Sequence, residues 1–161
     1  MLLPLALAAL VQTTPVQPIV RGTALPPPTS EEGQVLVPIQ RIFAAITAGD
    51  GAAILAATRP DGRATAAVER PDGTRTIRTS TWAEFAGRLK PGPDRRVERF
   101  VGQPAIEVDG DIAMVWAPFD FTVNGTLSHC GVNHFDLVRE GGGWRVLNVT
   151  WSQRTTGCAA Q

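Results

Sequence analysis

Residues 110–154 read GDIAMVWAPFDFTVNGTLSHCGVNHFDLVREGGGWRVLNVTWSQR, three amphipathic runs parted by Asn124-Gly125 and by Gly141-Gly142-Gly143. Asn-Gly favours a two-residue hairpin turn because both residues tolerate positive φ, which sets Val123 opposite Thr126. Carried along the strands, that register pairs Asp120 with His129, Trp116 with Asn133, Met114 with Phe135 and Ile112 with Leu137. A three-residue glycine loop pairs Glu140 with Trp144, Leu137 with Leu147, Phe135 with Val149 and Asn133 with Trp151. Side chains alternate across a strand. The two registers therefore place Ile112, Met114, Trp116, Asp120, His129, Asn133, Phe135, Leu137, Leu147, Val149 and Trp151 on one face. That face is apolar at the Ile112 end and polar towards Asp120 and His129, so the expectation is a pocket with a closed bottom and an open mouth.

The opposite parity sends Val115, Ala117, Phe119, Phe121, Val132, Val138 and Val146 outward. A sheet face meant for water alternates apolar with polar residues. This one would be apolar throughout, which predicts a homodimer through the outer sheet face.

Upstream, Ser30-Glu31-Glu32 is a cap followed by an acidic first turn. Val35, Ile39, Ile42, Phe43 and Ile46 recur at helical spacing and form one stripe. Pro38 either starts the helix later, near Val35, or kinks it. Gly49 ends it, and Asp50 caps a second, shorter helix through Ile54 and Leu55. Ala64 to Glu69 and Thr74 to Thr79 are short strands about Pro71-Asp72-Gly73. Thr81-Trp82-Ala83-Glu84 is a capping box that opens a short helix carrying Trp82, Phe85, Ala86 and Leu89 on one side. Val97 to Val108 reads as a long strand interrupted at Pro104, by a bulge or at a sheet edge. Helices segregated from an antiparallel sheet make the class α+β, with the sheet curling around the helical stripe.

With 161 residues, 43% of them apolar, the chain can bury one core and is expected to be a single domain. Fifteen acidic residues balance fifteen basic ones, and no basic block is longer than Arg95-Arg96. That gives no support to nucleic-acid partners or to a polybasic membrane patch. The apolar run over residues 1–14 is too short to span a bilayer and reads as a candidate signal segment, although no Lys or Arg precedes it. Residues 15–29 form a proline-rich linker and 30–161 the folded domain. Export would make the location periplasmic or secreted. In an oxidising compartment Cys130 and Cys158 are expected to form a disulfide, provided that Gly157 lets the tail curl back.

The element order, the Gly49-Asp50 pair between the first two helices, and SHCGVNHFDLVREGGGWRV over residues 128–146 together resemble the nuclear transport factor 2-like superfamily, in its SnoaL-like or putative lumazine-binding branch. The resemblance covers about residues 31–157. It implies a cone-shaped α+β barrel, a strongly curved antiparallel sheet wrapped around two to three N-terminal helices, whose mouth holds a small, often apolar ligand. It also implies that chemistry varies: members include isomerases, dehydratases, cyclases and proteins of no known activity, so fold here does not give function.

Two readings of function follow. The first is a small-molecule-binding domain for an apolar or aromatic ligand, lined by Trp82, Trp116, Asn133, Phe135 and Trp151. The second is a cofactor-independent isomerase, dehydratase or cyclase using His129 with Asp120. Facing each other across two strands, a carboxylate would fix the imidazole tautomer and raise its pKa. Two His and two Cys at no zinc-like spacing give no metal site, and no glycine-rich loop opening a helix calls for a nucleotide or other cofactor.

Overall fold

The computed structural model describes residues 25–158, so the candidate signal segment and most of the linker lie outside the described residues. Helix α1 spans Glu31–Ala48, capped by the Ser30 hydroxyl, which accepts from the Gly33 amide at 3.1 Å. It runs through Pro38 without ending and stops at Gly49, whose φ of 67° only glycine adopts cheaply. Helix α2, Gly51–Ala57, is capped by Asp50. Strands β1 (Arg63–Glu69) and β2 (Arg75–Thr81) form a hairpin leading into α3, Trp82–Arg88, where the Thr81 and Glu84 capping box is made in full.

The presumed long strand around Pro104 is two strands, β3 (Arg96–Phe100) and β4 (Ala105–Asp109), both paired antiparallel with β5 (Ile112–Val123). Strands β6 (Thr126–Glu140) and β7 (Gly143–Gln153) complete the sheet. Its order is β2-β1-β7-β6-β5-β3, with β4 on β5 beside β3. The sheet is mixed rather than wholly antiparallel, because β1 runs parallel to β7, and its path is open rather than closed. It curls around α1, whose Val35, Leu36, Ile39, Ile42 and Ile46 pack with Val115, Phe135, Leu137 and Val146.

Two bulges change which residues face that core. At the Asn124-Gly125 turn Val123 does sit opposite Thr126, but Phe121 pairs with His129 because Ser128 is an extra residue on β6. Every pair below the bulge slips by one, which turns β5 over: Ala113, Val115, Ala117 and Phe119 are buried, while Ile112, Met114, Trp116 and Asp120 take the other face. The glycine turn closes between Glu140 and Gly143, two residues rather than three, and Leu147 is the extra residue of a second bulge. Those two differences cancel, so Phe135 opposite Val149 and Asn133 opposite Trp151 stand, with Val146 inward in place of Leu147. The residues named for the outer face change with it: Val115, Ala117, Phe119 and Val146 belong to the core of one chain, and the outer side of β5 carries the exposed Ile112 and Trp116 instead.

Candidate functional site

Between α1, α3 and the concave face lies a cavity of about 260 Å³. Its walls are mostly apolar: Ile42, Phe43, Ile46, Trp82, Phe85, Leu89, Phe119, Phe121, Phe135, Val149 and Trp151. Polar groups enter at a few points, from Arg96, Glu98, His129, Asn133 and Gln153. The strands set their levels. Arg96 pairs with Val123 beside the hairpin turn, Glu98 with Phe121, which in turn pairs with His129, and Phe100 with Phe119 one step deeper.

Of the expected lining residues, Trp82, Asn133, Phe135 and Trp151 are brought to this cavity. Trp116 is not; it is 50% exposed on the outer face, beside His134 at 5.9 Å between ring centroids. Asp120 also lies on the outer side of β5, paired with Cys130, buried, and 3.6 Å from the Arg99 guanidinium. The expected pairing of Asp120 with His129 is therefore corrected: the Ser128 bulge puts the two side chains on opposite faces of the sheet. His129 does line the cavity. Its ring stacks on Phe121 at 4.6 Å and meets Phe119 edge-on, and Ser128 Oγ lies 3.2 Å from Nδ1. With no carboxylate partner among the described residues to favour the imidazolium, burial pushes the His129 pKa down.

Glu98 takes the position that sequence reasoning missed. Asn133, 1% exposed, donates from Nδ2 to Glu98 Oε1 at 2.7 Å. Burial pushes the carboxyl up to about 7, while that hydrogen bond pulls the other way. Glu98 keeps intermediate accessibility because it borders an open cavity, so some water screens it. Two groups thus stand in an apolar chamber, a carboxyl raised to about 7 and an imidazole whose charged form burial disfavours. Among the described residues no cluster of three or more His, Cys, Asp or Glu is placed to hold a metal. The Cys130–Cys158 disulfide, Cα atoms 5.7 Å apart, ties the residue after His129 to the tail beyond Gln153.

A family-wide match decides the relationship: residues 35–150 fit the SnoaL-like domain. The chain belongs to that family. Solved structures agree at the level of fold. An NTF2-like superfamily protein from Salmonella enterica serovar Typhimurium is 21% identical, covers 80% of this chain and 94% of its own, and superposes with a TM-score of 0.57. An NTF2-like protein from Cytophaga hutchinsonii is 15% identical over 76% of this chain and 98% of its own, TM-score 0.58. A third, from Nostoc punctiforme, described as a protein of unknown function with a cystatin-like fold, is 12% identical over 78% and 92%, TM-score 0.57. No curated protein matches the chain. The SnoaL-like cone is thus an NTF2-like scaffold whose chemistry rests on its own lining.

A pH experiment probes that lining. A carboxyl whose pKa is higher folded than unfolded holds its proton more tightly in the folded state. Its stabilisation is complete below the ordinary value of 4.5 and is lost as pH rises to about 7. Glu98→Gln keeps an acceptor for Asn133 and removes the titration. The variant is expected to gain about 2 kcal/mol over the parent between pH 5 and pH 8, a figure reduced for water in the cavity. Urea unfolding of both proteins across that range measures it; parallel curves would show that Glu98 titrates as an exposed carboxylate.

Proposed function

We propose that the cone binds a small, largely apolar, planar molecule, with Glu98 and Asn133 as its polar anchor. The observation that carries this reading is the cavity itself, aromatic-walled, of small-molecule size, and furnished with one hydrogen-bonded carboxyl held near neutrality. Sites for small ligands are typically of this kind, apolar with few convergent polar groups. The uncharged fluorophore N-phenyl-1-naphthylamine is expected to bind in the micromolar range with enhanced emission. Asn133→Leu, which removes the only donor to Glu98 among the described residues and narrows the chamber, should weaken it. A parent protein that leaves the probe's emission unchanged would sink the reading.

A second reading is favoured by one pair of facts, the raised Glu98 carboxyl and the lowered His129 imidazole on a common cavity wall. Such groups suit a cofactor-independent isomerase, dehydratase or cyclase that moves protons within its ligand. Recovering the bound native ligand after incubation in D2O separates the two. Binding alone returns it unchanged, whereas proton transfer labels a carbon and Glu98→Gln suppresses the labelling. The disulfide supports a periplasmic or secreted location, since such bonds persist in oxidising compartments. Fractionation of cells producing the full chain tests this.

A further inference from the structure

The concave face does not end at the cavity. Across the pairs Trp151 with Ala66 and Ala66 with Arg78 it continues onto β1 and β2, where it floors a second cleft of about 400 Å³. Phe85 and Trp151, edge to face with ring centroids 6.4 Å apart, line both chambers, as does Gln153. The second cleft carries Arg78 from β2 and Arg88 from α3, and among the described residues no acidic side chain lines it. Arg88 is held in place: Nη2 donates to Ser80 Oγ at 2.9 Å, and the guanidinium lies 5.8 Å from the centre of the Phe85 ring. Arg78 makes no ion pair among the described residues. Glu84, one helical turn before Arg88, makes the Thr81 capping box and also feels the Arg88 charge, so Arg78 is the cation left with the freer field.

Two guanidinium groups lining one cleft, one fixed and one with no ion pair among the described residues, make a site for an oxyanion, because arginine presents several donors in a planar fork. We infer that this cleft is an anion-binding subsite, in which Arg78 and Arg88 hold the carboxylate, sulfonate or phosphate of a ligand whose apolar body fills the neighbouring cavity. The inference rests on the binding reading above and narrows it to amphipathic acids. Desolvated partly by the Phe85 and Trp151 rings, the subsite adds selectivity for charge to a chamber that otherwise selects for shape.

A matched pair of probes tests it at low ionic strength: 1-anilinonaphthalene-8-sulfonate and the uncharged N-phenyl-1-naphthylamine, which differ by the sulfonate. The full chain is expected to bind the sulfonate about ten-fold more tightly than the neutral probe. In the Arg78→Gln, Arg88→Gln double variant the advantage should vanish while neutral-probe affinity is unchanged. Equal affinities in the parent, or a sulfonate advantage that survives the double substitution, would overturn the subsite and leave the cavity reading intact. If neither probe binds the parent, the cavity reading fails instead. The cleft is then decided by titrating inorganic sulfate against the NεH signals of Arg78 and Arg88: their movement supports an independent oxyanion site, and their immobility rejects it.

Discussion

Replacing Trp82 by alanine is expected to lower the unfolding free energy by about 3–5 kcal/mol, a large share of the roughly 5–15 kcal/mol that holds a domain folded. The indole is 1% exposed and sits at the first turn of α3, between the helix and the sheet. It packs edge-on against Phe85 at 5.8 Å and donates from Nε1 to the Leu147 carbonyl at 2.8 Å. Leu147 is the bulged residue of β7, so its carbonyl is out of step with the ladder and takes the indole as its partner. Trp82→Phe separates the two contributions: it keeps most of the ring and loses the hydrogen bond, and should cost about 1–2 kcal/mol. Urea denaturation of both variants is the measurement. A shift below about 1 kcal/mol for alanine would mean that α3 is not anchored through this side chain, and with it the roof of the cavity.

The helical half of the fold was legible because its signals are local. A Ser30 cap, a glycine at position 49 and the Thr81 capping box each act within one turn of chain, and all three are made as read. The α+β class followed from them. The parallel pairing of β1 with β7 joins residues more than eighty positions apart, and no local pattern announces it. β5 shows a different failure. Counting from the hairpin turn is valid only while no residue is extra, and Ser128 is extra. Hydrophobicity did not protest, since Ile112, Met114 and Trp116 are as apolar as Ala113, Val115 and Ala117. Yet one parity also carries Pro118 and Asp120, while the other is free of charge and proline through Phe121. That asymmetry marked the buried face and outweighs the turn count.

Half of the site was readable for the same reason. Strand β6 kept its parity on either side of the bulges, so His129, Asn133 and Phe135 lie where alternation put them. Glu98 was hidden because Val97 and Phe100, the two apolar residues of a short strand, have opposite parities and give no alternation to follow. The structure resolves the conflict in favour of Phe100, and Arg96 and Glu98 come inward with it. Asp120 was misplaced by the β5 inversion alone, and Arg99, its neighbour in register, accompanies it on the outer side.

Reducing the Cys130–Cys158 bond, or substituting Cys158→Ser, is expected to cost about 3.5 kcal/mol. The bridge spans 28 positions, and in the chain-entropy view a closed loop of that size restricts the unfolded ensemble by about this amount. The native state loses something local as well. Cys130 and Arg154 exchange two backbone hydrogen bonds, each 3.0 Å, as an isolated bridge just past the end of β7. Beyond Gln153, which pairs with Val68 on β1, that bridge lies outside the named strands, so without the disulfide the end of β7 is expected to fray first. Because His129 precedes Cys130 and Gln153 precedes Arg154, fraying there widens the mouth of the cavity. Two readings check the expectation together: the urea midpoint with and without reductant, and hydrogen exchange at the Cys130 and Arg154 amides. A midpoint that falls while those amides stay protected would place the effect wholly in the unfolded chain. An unchanged midpoint would show that the sheet holds its own edge and that the bond adds no stability to the folded cone.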